Sequence, residues 1–137
     1  MKMFIHFFIF ILISWNYSYS QASTNPCYYE IDPTTLIKIY LRADTEPTFP
    51  GGPEEIINFI TKHIVYPSYG EFIGTIYISF IVNDDGSLSN IFVKKKGLSQ
   101  EIDRASLDLI KKIPNWIPAK CQNENVAHLM IIPISFN

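Results

Sequence analysis

The sequence predicts an α+β domain, with two helices packed on one face of a small antiparallel sheet of three or four strands. Three observations carry this: a stretch of strict alternation broken by an Asp-Gly turn, two amphipathic segments at helical spacing, and a carboxy-terminal run of branched and aromatic residues.

In the alternating stretch, Ile76, Ile78, Phe80 and Val82 fall on one side of an extended chain, while Tyr77, Ser79, Ile81 and Asn83 fall on the other. Asn83 to Gly86 supplies the positive-φ tolerance that a tight reversal needs, and Ser89 to Val93 alternates again, so the block reads as a β-hairpin. A first helix is expected from Pro53, whose fixed φ suits the first helical position, with Glu54 and Glu55 complementing the positive helix start. Ile56, Phe59, Ile60 and Ile64, with Ile57 beside them, form its apolar stripe, and Pro67 stops it by about Val65.

A second helix is expected from Gln100 to Ile113, with Ser99 as N-cap, Glu101 and Asp103 in its first turn, and Lys111 and Lys112 in its last. Its buried face is Ile102, Ala105, Leu109, Ile110 and Ile113, and Pro114 ends it. A short strand over Leu36 to Leu41 precedes the Pro-rich segment Glu46 to Pro53. The last strand, Val126 to Phe136, contains Pro133, which cannot donate to a ladder; the strand is therefore expected at an edge, exposed on one side.

A chain of 137 residues with 47% hydrophobic and 18% charged residues is an ordinary core-forming globule, and its net charge of −2 excludes a nucleic-acid binder by charge. Residues 1–20 read as a signal peptide: Lys2 is the positive start, Phe4 to Ile13 is apolar apart from His6, and Ser18 and Ser20 have the spacing of a cleavage site. The rival reading is a membrane anchor, against which the apolar run Met3 to Trp15 has 13 residues where a spanning helix needs roughly 20. Residues 21–46 are read as an amino-terminal strap with one short strand, and 47–137 as the domain. Cys27 and Cys121 either form one disulfide or remain two buried thiols.

Several residues then line up in order: Phe49-Pro50-Gly51-Gly52 before the first helix, Tyr66-Pro67 after it, Gly74 at the head of the hairpin, Asp85-Gly86 at its turn, Ala105, Trp116-Ile117-Pro118, and Leu129 to Phe136 with Pro133 inside. From Pro47 to Phe136 the chain resembles the carboxy-terminal domain of the TonB energy-transducer family, in the form common among Bacteroidetes-type bacteria. The resemblance implies a periplasmic module that captures an extended segment of a TonB-dependent outer-membrane receptor, or of another exported protein, as an added strand. It places that strand beside Ala127, His128, Leu129, Met130, Ile131 and Ile132, on the amino-terminal half of the last strand because Pro133 removes a donor.

A complete transducer of that family also has a membrane helix meeting the ExbB–ExbD motor and a long Pro-rich span. Here about 26 residues, Gln21 to Glu46, separate leader and motif, so the reading is a free binding module without a motor connection of its own. The alternatives are an exported structural domain that forms a homodimer through its edge strand, and a membrane-anchored transducer facing the periplasm.

Catalysis is not expected. His6, His63 and His128 have no nucleophile in a recognisable context, and Asp84 and Asp85 are turn residues lacking the further oxygens of a calcium loop. Lys94, Lys95 and Lys96 read as a solvated strand end, His63 as a helix-end cation, His128 as a solvent-side strand residue, and Trp116 as a core side chain locking helix to sheet. Gly51-Gly52 lacks the remainder of a phosphate-binding loop and reads as the turn into the first helix. No metal site and no cofactor are expected.

Overall fold

The computed structural model describes residues 26–66, 68, 72–94 and 97–136. The predicted leader, residues 21–25, Pro67, Lys95 and Lys96 lie outside the described residues. The chain order is β1 (Tyr28–Ile31), β2 (Lys38–Arg42), α1 (Pro53–His63), β3 (Gly74–Val82), β4 (Leu88–Val93), α2 (Gln100–Ile110), β5 (Ala119–Cys121), β6 (Glu124–Val126) and β7 (His128–Phe136).

The class is α+β. The main sheet has five strands in the order β1-β2-β7-β3-β4, and β5 and β6 form a separate two-stranded ribbon. The sheet is larger than expected because the amino-terminal strap folds into the hairpin β1–β2, and it is mixed because β2 meets β7 in parallel. β3 and β7 pair antiparallel over their whole length, from Gly74 with Phe136 to Val82 with His128.

The alternation of β3 sorts its side chains as expected. Ile76, Ile78, Phe80 and Val82 are fully buried on the helix-covered face, with Ile134 and Phe136 of β7 beside them. Ile102, Leu109 and Ile110 of α2, with Ile113 beyond it, close this core, and each such side chain contributes roughly 1.5–3 kcal/mol by leaving water. Trp116 is buried where expected, its ring edge-on to Phe49 at 5.8 Å and to Phe80 at 5.5 Å. Ser106 is buried in α2 where the sequence pointed to Ala105.

Helix starts follow local chemistry. The Ser99 hydroxyl accepts from the Ile102 amide at 3.1 Å, capping α2. Gly52, at φ 96, turns the chain into Pro53 and α1. At the β3–β4 turn, Gly86 has φ 84 and lies so close to the Trp116 carbonyl oxygen that any Cβ would collide with it.

The hairpin β1–β2 is fastened at one end. Cys27 and Cys121 form a disulfide, settling the alternative left open by the sequence. Arg42 Nε donates to the Pro26 carbonyl at 2.8 Å, the Gln122 amide donates to Asp44 Oδ2 at 2.6 Å, and Thr45 and Thr48 exchange backbone hydrogen bonds with Lys120 and Ile117. The segment after β2 thus runs along the ribbon and away from β7.

Candidate functional site: the outer edge of β7

β7 is not the sheet edge expected from Pro133, since β2 lies beside its first residues. The contact is short. Tyr40 pairs with His128, the Tyr40 amide donating to the Ala127 carbonyl at 2.8 Å, and no further residue of β2 pairs with β7.

That one hydrogen bond fixes the direction of every main-chain group along β7, because successive strand residues turn their N–H and C=O to opposite sides. Ala127, Leu129, Ile131, Pro133 and Ser135 face outward, away from β3, while His128 to Phe136 at even positions face β3. Pro133, the residue with no N–H, is therefore one of the outward set. Beyond β2 the outward groups are the amides and carbonyls of Ile131 and Ser135 and the carbonyl of Pro133. No strand among the described residues pairs with them.

This open segment borders a groove of about 330 Å³ lined by Ile57, Ile60, Thr61, Ile64 and Tyr66 on one side and by Pro133, Ile134 and Ser135 on the other. Ile57 is 62% exposed, so it points out of the core and offers the groove an apolar surface. Tyr66 sets its ring edge-on to Phe136 at 5.7 Å, holding the chain after α1 against the end of β7. The groove is lined largely by apolar side chains, with a bare main-chain edge at its border, so it can accept an extended chain through backbone hydrogen bonds and alternate side chains.

The residues expected to bind a partner divide between these two environments. The Ala127 carbonyl is taken by Tyr40. His128, expected on the solvent side, is 3% exposed, with Nε2 2.8 Å from Glu46 Oε2: it belongs to the even, core-facing set and sits under the strap. Leu129 and Met130 are half-buried. Ile131, 37% exposed, lies on the open stretch, and Ile132 has its main chain committed to Ile78 of β3. The expected pairing stretch is therefore narrowed: β2 takes Ala127 to Leu129, and the open outward groups begin at Ile131, which the sequence also named, and run on to Ser135. Ser135 and the α1 wall were missed, Ile57 having been read as part of the buried stripe.

Of the other singled-out residues, Pro50, Gly51 and Gly52 form the turn into α1, Gly74 heads β3, Asp85 and Gly86 form the β3–β4 turn, and Pro118 lies between Ile117 and the ribbon. His63 ends α1 with Lys62, its Nδ1 2.9 Å from the Phe59 carbonyl. Two carboxylates sit below their ordinary range, both away from the groove: Asp85, held by the Ser87 hydroxyl and amide, and Asp32, held by the amides of Thr35 and Thr34. The Asp44 carboxylate lies beside Cys27 and Cys121, whose sulfurs are bonded to each other and are not thiolate ligands.

Residues 71–137 match the family model described as the Gram-negative bacterial TonB protein C-terminal. This part of the chain is similar to the TonB C-terminal family. The TonB-type region contains β3, β4, α2, the ribbon and β7, and the match begins after α1 and the β1–β2 hairpin, later than the resemblance from Pro47. Among solved structures, the NMR solution structure of the Helicobacter pylori TonB C-terminal domain is similar at 25% identity and a TM-score of 0.41, covering 64% of this chain and 87% of that one. No curated protein matches the chain. No helix among the described residues is long and apolar enough to cross a membrane.

Proposed function

We propose that the protein is a non-catalytic periplasmic binding module that takes up an extended segment of a TonB-dependent outer-membrane receptor as a strand beside Ile131 to Ser135. The observation that carries this reading is the outward edge of β7, unpaired among the described residues, inside a TonB-type region and bordered by the groove along α1. An incoming strand can use the amides of Ile131 and Ser135 and three carbonyls. Each bond contributes about 0.5–1.5 kcal/mol net. The affinity expected is that of a transient contact, suited to a partner that must be released.

Residues 1–20 direct export and are removed, leaving a freely diffusing module, and any link to an ExbB–ExbD motor comes through another chain. The leader's charge, apolar core and small residues support this. The competing reading is a homodimer made by edge-to-edge pairing.

A photo-reactive phenylalanine analogue at Ile131 in cells separates the two. The proposal expects covalent adducts with the amino-terminal segments of outer-membrane receptors, identified by mass spectrometry. Adducts only with a second copy of the chain would replace receptor capture by dimerisation. Retention of residues 1–20 on the mature protein would contradict the free module.

A further inference from the structure

We propose that the β1–β2 hairpin is a fixed stop on the accepting edge, confining the partner to Ile131–Ser135 and so selecting a short extended segment with an apolar side chain directed into the α1 groove. This inference rests on the strand-addition reading and adds to it which part of the edge is offered and what segment fits.

The stop follows from where β2 ends. Its parallel pairing puts Tyr40 beside His128, occupies the Ala127 carbonyl and turns the Leu129 amide toward the Tyr40 carbonyl. After Arg42 the chain leaves β7, because Thr45 and Thr48 are paired with Lys120 and Ile117 on the ribbon side. The edge is therefore used up to Leu129 and free from Ile131 onward.

One paired residue holds a strand weakly, yet this strand is anchored by several contacts at the end that follows Tyr40. The Cys27–Cys121 disulfide fastens the start of β1 to β5, Arg42 holds the Pro26 carbonyl, and His128 lies 2.8 Å from Glu46 just after the strand. To uncover Ala127 to Leu129, an incoming strand must break these contacts together, whereas Ile131 to Ser135 accepts a strand at no such cost. The hairpin acts as a register device in which the disulfide is the lock.

The segment that fits is short. Five positions at about 3.3 Å per residue span roughly 17 Å. Because its side chains alternate between the two sheet faces, every second one faces the helix side, where Ile57, Ile60 and Ile64 offer apolar contact. A charged side chain there would lose its hydration without a partner. The matching segment therefore alternates, with small apolar residues on the groove side.

Residue-resolved amide exchange of the oxidised, ¹⁵N-labelled full chain tests the stop without any partner. The Tyr40 and Leu129 amides should exchange at least about tenfold more slowly than those of Ile131 and Ser135. Equal rates would overturn the stop. A titration with an acetylated, amidated heptapeptide of alternating threonine and valine tests confinement. Shifts should be limited to Ile131–Ser135 and the groove face of α1 in the disulfide-bonded protein, and should spread to Ala127–Leu129 and Tyr40 after reduction or in the Cys27→Ser, Cys121→Ser double variant. Arg42→Ala, which keeps the disulfide, provides a second way to loosen the hairpin if that variant does not fold. Shifts at Tyr40 in the oxidised protein would show that the stop is displaced while strand addition stands. A peptide that shifts neither set would defeat the strand-addition reading and the choice of partner with it, leaving the exchange rates to decide the stop alone.

Discussion

The two halves of β7 have the same partner on one side and opposite fates on the other. Both are zipped to β3 without interruption, but the outward groups of the first half meet β2 while those of the second meet no strand among the described residues and border a groove. Burial does not mark the open half, since the fully buried core side chains of β7, Ile134 and Phe136, lie in it while the first half buries His128. What differs is long-range: the covalent and hydrogen-bonded anchoring of the preceding hairpin decides how far β2 can follow β7. An edge is thus a property of the chain's path as much as of the strand's own residues.

The largest expected effect touches both halves equally. Phe80 pairs with Met130, between the β2-paired and the open stretches of β7, and is fully buried against Trp116, so Phe80→Ala should cost about 4 kcal/mol in chemical denaturation. A cost below 1 kcal/mol would mean that the shared core is not where it is placed. The next effect should fall on the first half alone: replacing Cys27 and Cys121 by serine should remove about 3 kcal/mol and loosen Tyr40 more than any β3 amide. If the amides of Ile78 and Tyr40 loosen together, the two halves are not independently held.

Smaller effects sharpen the contrast. Ser99→Ala removes the α2 cap and should cost about 1 kcal/mol while leaving both edges unchanged, which makes it the control for general destabilisation. Ile131→Lys, at an exposed site, should shift stability by less than about 0.5 kcal/mol yet abolish capture of an extended partner at the second half. Loss of the folded state would show that Ile131 is core.

The smallest effect comes from pH. Asp85 is held below the usual carboxylate range in the folded chain, because the hydroxyl and amide of Ser87 favour its charged form. A folded value below the unfolded one means its contribution is present above the unfolded value and fades as pH falls through the folded value. Asp85→Asn should therefore lower thermal stability at neutral pH slightly, with the difference from the parent vanishing in strong acid. An unchanged difference across that range would remove the assigned cause.

Much of the fold was legible because it is written in local periodicity. The face of Ile76, Ile78, Phe80 and Val82, the turn at Gly86, the Ser99 cap and the core role of Trp116 each follow from residues within a few positions of one another. The hairpin β1–β2 was not legible as such. Its pairing with β7 depends on a disulfide between residues 94 apart and on Thr45 and Thr48 meeting the ribbon, contacts that leave no periodic trace.

The site was half legible for the same reason. Pro133 pointed to an edge strand, which β7 is not, although its missing N–H falls in the outward set of the stretch beyond β2. It gave no sign of where the unpaired stretch begins, and that is set by where β2 turns away. His128 was misjudged because its polar side chain was weighed above the alternation that sets it on the same face as Ile134 and Phe136, and Ile57 because a residue next to an apolar stripe can equally flank a groove.

The most direct test is to measure cross-strand nuclear Overhauser contacts between the labelled protein and a synthetic peptide carrying the amino-terminal extended segment of an outer-membrane receptor from the same cell. The account predicts main-chain contacts at Ile131, Pro133 and Ser135 and side-chain contacts at Ile57 and Ile60, with the Tyr40–Ala127 pairing intact. Contacts along the outer side of β1 or β4 instead, with β7 undisturbed, would contradict it.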